Sequence, residues 1–156
     1  MISQRTPFDC GIATLANALE ITYEQSLDLY GADKQRNGVT IQHTASILFD
    51  LGYAPVYTAF PGFVKASGIE MSTSNPDILE QFGNPAILQV LTPSGTVHQV
   101  FFDGKQIHDP SPSIETACSV REYECVDAVF VIKQGQALVR KQGSSFVPHA
   151  VREGVL

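Results

Sequence analysis

Four side chains of this sequence have the types and spacing to act together on a carbonyl. Cys10 stands in Gln4-Arg5-Thr6-Pro7-Phe8-Asp9-Cys10-Gly11, at the head of a segment with helical periodicity. His98 and Asp109 lie in Val97-His98-Gln99-Val100-Phe101-Phe102-Asp103-Gly104-Lys105-Gln106-Ile107-His108-Asp109-Pro110. Asp103-Gly104 is a hairpin turn signal. A two-residue turn there sets Phe102 against Lys105, Phe101 against Gln106, Val100 against Ile107, Gln99 against His108 and His98 against Asp109. Directly opposed residues point to one side, with Cβ atoms roughly 5 Å apart. An imidazole and a carboxylate so placed are the orienting half of a catalytic triad. A thiol at a helix start supplies the nucleophile.

The chemistry asks for these residue types. The thiolate is the reactive form of a cysteine, and a free thiol ionises only near pH ~8.5. A helix N-terminus carries unpaired N–H groups and about +0.5 charge, which favours the anion. A neighbouring imidazolium favours it further. Gly11 is expected to let a substrate backbone approach closely, and Asp9 to cap the helix. An oxyanion needs donors. The backbone N–H of Cys10 is one, and the amide of Gln4 is the second, since the extended approach through Pro7 can fold back beside the helix start. One such donor is worth on the order of 3 kcal/mol in the transition state.

The other polar candidates are set aside by position. His108 points to the opposite strand face from Asp109, as does Gln99. His43 falls on a helix, one turn from Ile47, and His149 lies near the C-terminal end. Cys118 and Cys125 flank Arg121-Glu122-Tyr123 and read as structural.

The elements that must position these groups follow from periodicity and punctuation. Ile12, Leu15, Ala16 and Leu19 form one apolar helical face. Thr22 and Gln25 make a capping box for a helix through Tyr30, ending near Gly31. Thr40 caps a third helix, with Ile41, Ala45, Leu48 and Leu51 inward and Gly52 at its end. Ala54 to Phe60 reads as a strand, and Pro61 to Ser74 as a loop. Asp77 to Phe82 is a short helix between Asn75-Pro76 and Gly83. Ala86 to Leu91 is an apolar strand, turned by Pro93-Ser94-Gly95 into the hairpin. Ala128 to Ile132 is a further buried strand, and Ala137 to Arg140 a final one. Helices first and an antiparallel sheet second make an α+β fold. Residues 1–134 form one domain, with 135–156 a strand and tail extension of it.

Composition narrows the function classes. The chain has 156 residues, 44% of them apolar, and a formal charge of −6. Its ten Lys and Arg are scattered rather than clustered, so nucleic acid is not an expected partner. No apolar run reaches the ~18 residues of a membrane span. The start, Met1-Ile2-Ser3-Gln4-Arg5, has no signal-peptide pattern. Three cysteines suit neither a secreted disulfide framework nor a zinc site. The expectation is a cytoplasmic enzyme without metal or cofactor.

The same residues carry a resemblance. Gln4, Asp9-Cys10-Gly11 leading into Ala13, Leu15 and Ala16, then His98, then Asp109-Pro110, resemble the bacteriocin-processing cysteine peptidases. These are papain-like domains that cleave double-glycine leader peptides and are commonly fused to peptide-exporting ABC transporters. The resemblance spans roughly residues 4 to 132 and includes the family's Gln-to-Cys spacing. It implies a papain-like arrangement, with helices carrying the nucleophile packed on the sheet. It implies Cys10 as nucleophile, His98 as general base and acid, Asp109 as orienting group and Gln4 as oxyanion donor. The implied reaction is cleavage of a peptide or protein substrate through a thioester acyl-enzyme. No transporter domain follows, so the expectation is a stand-alone peptidase or amide hydrolase. An acyl or amine transferase on the same scaffold, and a peptide-binding protein that keeps the fold without catalysis, are the alternatives.

Overall fold

A computed structural model describes residues 1–135. The strand expected at Ala137 to Arg140 and most of the 135–156 extension lie outside the described residues. Four helices come first: α1 (Cys10–Leu19), α2 (Tyr23–Tyr30), α3 (Lys34–Asn37) and α4 (Ile41–Asp50). Strand β1 (Val56–Ala59) follows, then the short helices α5 (Pro61–Ser67) and α6 (Asp77–Phe82). Strands β2 (Ala86–Leu91), β3 (Val97–Phe102) and β4 (Ile107–His108), a 3-10 turn at Val120–Glu122, and β5 (Glu124–Phe130) complete the order. The strands form one antiparallel sheet in the order β1-β5-β2-β3-β4. The fold is α+β. Among the described residues no helix is long and apolar enough to cross a membrane.

The sheet divides two cores, because successive strand residues face opposite sides. Ile87 and Val129 face α1, α2 and α4 and pack with Ile12, Leu15, Tyr23 and Leu48. Leu88, Val100, Phe102 and Phe130 face the other way and pack with Phe60 and Leu79. Helix α1 lies against β3, where the Thr14 hydroxyl donates to the carbonyl of Gln99 at 3.0 Å. The helix that opens with Cys10 and the strand that carries His98 are thus in direct contact.

Local signals mostly hold. Thr22 and Gln25 form the reciprocal capping box, at 3.1 and 2.9 Å. The Thr40 hydroxyl accepts from the His43 N–H at 3.2 Å. The stretch read as loop from Pro61 to Ser74 instead opens with α5. Pro61 is a favourable first helical residue, and Gly68, at φ 70°, ends the helix. Gly62 is required for its docking, since a Cβ there would lie 2.3 Å from the Cys125 carbonyl oxygen. Strand β5 spans Glu124–Phe130, starting four residues earlier than Ala128. Helix α3 had no apolar periodicity to announce it, and none of its residues is buried.

The hairpin register differs from expectation. Phe102 pairs with Ile107 and Phe101 with His108, so the connection is Asp103 to Gln106 rather than two residues. Asp103 closes it, its carboxylate accepting from the N–H groups of Lys105 at 2.8 Å and Gln106 at 2.9 Å. Such a side-chain-closed turn competes with the tight Asp-Gly turn. The slip is two residues, and an even slip leaves every side chain on its original face. Asp109 therefore stays on the His98 side, as a diagonal neighbour just past the end of β4 rather than a partner directly opposite.

Candidate active site

The site begins with Asp9. It takes the N-cap position of α1, but its carboxylate makes no capping bond to that helix. Fully buried, it turns back on the preceding loop instead. Its Oδ1 accepts from the backbone N–H of Arg5 at 3.1 Å and of Thr6 at 3.0 Å. Its Oδ2 accepts from the Tyr23 hydroxyl. Burial and the Asp9 carboxylate push that phenol up to about 12, so it stays a donor. The Gln35 amide donates to the Tyr23 oxygen at 3.0 Å, and the Arg5 guanidinium sits 3.8 Å over the Tyr23 ring. This cluster folds residues 4–9 against the helix start.

The folded loop then reaches the other half of the molecule. The Gln4 N–H donates to the Pro110 carbonyl at 2.8 Å, tying Gln4 to the segment that holds Asp109. The Gln4 Nε2 donates to the Thr6 carbonyl at 2.9 Å, which uses one of its two protons. Its Oε1 is buried without a partner.

His98, at the start of β3, is held from one side. Its Nε2 lies 2.8 Å from Asp109 Oδ1 and 3.2 Å from the Ser111 hydroxyl. The Ser111 N–H donates to the same Oδ1 at 2.9 Å. The second carboxylate oxygen, Oδ2, accepts from the Tyr123 hydroxyl at 3.0 Å. The Cys10 sulfur favours the charged form of the ring.

Burial alone disfavours the His98 imidazolium, but Asp109 and the Cys10 sulfur outweigh it and lift the ring from 6.5 to about 9. Burial likewise opposes ionisation of Asp109, and His98 with the Ser111 donors reverses this, holding the carboxyl at about 2. The arrangement is a fixed carboxylate and an oriented imidazole that carries a proton at neutral pH, its charge favoured by Asp109 and by the Cys10 sulfur. A proton already held on that ring can be given to a leaving group, after which the neutral ring can accept one from water. A cavity of about 480 Å³ opens on this cluster, with Gln4, Leu91, His98, Ile114 and Tyr123 among its walls.

The structure thus gathers Gln4, His98 and Asp109 on one cleft wall, and the Cys10 sulfur favours the charged form of the His98 ring. Gly11 has a different task from the one expected. A Cβ there would lie 2.1 Å from Val39 Cγ2 and 2.8 Å from Gln99 Oε1, so the glycine lets α1 seat on the sheet. Gln99 is buried on the α1 side, with both amide atoms unpartnered. His108 is away from the site, 2.7 Å from Asp103 and stacked on Phe101. His43 packs edge-on against Tyr30. Cys118 bridges to Ile107, and Cys125 is buried in β5, where burial pushes its thiol up to about 11. Among the described residues no group of His, Cys, Asp and Glu could hold a metal ion.

Tyr123 had no sequence argument as a site residue. The signal for Tyr123 was present: Ser119-Val120-Arg121-Glu122 has the capping-box pattern, and its two reciprocal bonds set the turn that delivers Tyr123.

No protein-family model matches the chain, and no curated protein matches it in sequence. Among solved structures, the chain is similar to the peptidase domain of Streptococcus ComA, described as a bi-functional ABC transporter involved in a quorum-sensing pathway. The TM-score is 0.57 at 19% identity, covering 85% of this chain and 97% of that one. The likeness establishes a shared fold.

Proposed function

We propose that this protein is a papain-like cysteine peptidase or amide hydrolase, with a peptide or protein substrate. Cys10 attacks the substrate carbonyl as the thiolate, its proton already resting on His98. The oxyanion is held by the Cys10 N–H and the free Nε2 proton of Gln4. His98 then protonates the leaving amine, leaving a thioester on Cys10. Water, activated by the same ring, attacks the thioester and regenerates the thiol. Asp109 keeps the imidazole oriented and stabilises its charged form. Three unpaired cysteines suit a reducing, cytoplasmic setting.

The observation that carries the reading is the shared environment of one imidazole. Asp109 lies 2.8 Å from Nε2, with Gln4 and Tyr123 lining the same cleft. The fold neighbour being a peptidase domain supports it at the coarser level. The test is an intact-mass search for acyl adducts after incubation with p-nitrophenyl acetate and with candidate peptides. The expected product is a single acyl group mapped to Cys10 and missing in Cys10→Ala. Acylation at Cys118 or Cys125 in preference to Cys10 would overturn the assignment.

A further inference from the structure

Asp109 is 3% exposed, and a carboxylate so buried needs donors on both oxygens. Oδ1 is served by His98 and the Ser111 N–H. Oδ2 has the Tyr123 hydroxyl at 3.0 Å. Tyr123 lies fourteen residues beyond Asp109 and reaches it because the Ser119–Glu122 capping box turns the chain back immediately before β5. The Tyr123 N–H closes that turn on the Val120 carbonyl at 3.2 Å, so the ring starts from a fixed backbone. Arg121, next to it, is pinned outward to Glu80 at 2.7 Å. The ring itself lines the cleft beside His98.

We propose that Tyr123 is a positioning residue for this reaction: its hydroxyl, donated to Asp109 Oδ2, fixes the carboxylate and shares its charge, which sets how readily His98 gives up and takes a proton. The inference rests on the Cys10–His98–Asp109 reading. Without the hydroxyl, Oδ2 is buried and unpartnered, and the full charge of Asp109 falls on His98. The imidazolium is then held more tightly still, and the neutral fraction that acts as a base at neutral pH falls further. Tyr123 keeps its proton throughout, because burial and the Asp109 charge push the phenol well above its ordinary range. The other titratable groups facing this corner are Cys118, which also raises the Tyr123 phenol, and Glu122 and Glu124 on the cleft wall. Glu122 is tied to the Ser119 N–H and Glu124 to Lys65. Cys10 lies on the ring side.

The step that reports this is loss of the acyl group. Water adds to the thioester carbon, the C–S bond breaks, acetate leaves, and His98 carries the water proton to the sulfur. The protein is acetylated with p-nitrophenyl acetate, and decay of acetyl-Cys10 is followed by intact mass across pH. Tyr123→Phe keeps the ring in the cleft and removes only the hydroxyl. It is expected to slow decay about tenfold at neutral pH, to move the pH profile upward, and to lower the melting temperature by no more than Tyr123→Leu does, the cost being one lost donor to Oδ2. Tyr123→Leu is expected to be no less impaired. If Tyr123→Phe decays at the unchanged rate and only Tyr123→Leu is slow, the residue is a cleft wall and the proposal is overturned. Absence of acetyl-Cys10 in the unchanged protein counts against the enzyme reading instead. In that case the His98 ring titration, read by NMR, still decides: an upward shift in Tyr123→Phe supports the inference, and an unchanged midpoint refutes it.

Discussion

Replacing Asp109 by Asn gives a change in stability whose size and pH window follow from the structure. His98 is lifted from 6.5 to about 9 in the folded protein. The ring is mostly buried, with its side chain 14% exposed. At about 1.4 kcal/mol per unit, a lift of this size favours the folded imidazolium by about 3 kcal/mol. The folded value lies above the unfolded one. The contribution is therefore complete below 6.5 and is lost as pH rises through about 9. Two partners raise the ring, Asp109 and the Cys10 sulfur. Removing the carboxylate takes away about half, about 1.5 kcal/mol. Urea denaturation of both proteins at about pH 6 and about pH 10 reads this directly, since other titrating groups are common to the two. The unchanged protein should lose about 1.5 kcal/mol more than Asp109→Asn over that interval. Equal losses would mean that the carboxylate does not hold the imidazolium.

Four further outcomes are expected. Gly11→Ala forces a methyl group to within 2.1 Å of Val39 and should destabilise the fold by about 1–3 kcal/mol in urea melts. His108→Ala should leave hydrolysis of acetyl-Cys10 within about twofold, because His108 is engaged with Asp103 away from the cleft. Gln4→Ala should slow acylation by p-nitrophenyl acetate by about 10²-fold through loss of an oxyanion donor, with the melting temperature little changed. Tyr23→Phe leaves the buried Asp9 short of a donor and should cost about 1–3 kcal/mol of stability, measured by chemical denaturation.

Much of the fold was legible because its signals are local. The capping box at Thr22, the Thr40 cap, the Asn75-Pro76 start with its Gly83 stop, and the apolar run Ala86 to Leu91 each act within a few residues. The short helix α5 was hidden by its Gly and Ser content, although Pro61 and Gly68 frame it. The hairpin register was misread because Asp103 closes a longer loop with its own side chain. The pairing of His98 with Asp109 survived that error only because the slip was even. The roles of Gly11, Asp9 and Tyr123 were not legible, since each depends on a partner far along the chain: Val39, Tyr23 and Asp109.

The account depends on the sulfur of Cys10 acting on the imidazole of His98. The most direct measurement is the NMR titration of the His98 ring in the unchanged protein and in Cys10→Ser, where a neutral hydroxyl replaces the thiol. The ring should titrate near 9 in the first. In the second it should fall back by about one unit or more toward the ordinary histidine range. Identical midpoints in the two proteins would mean that thiol and imidazole do not meet, and the proposed chemistry would fall with them.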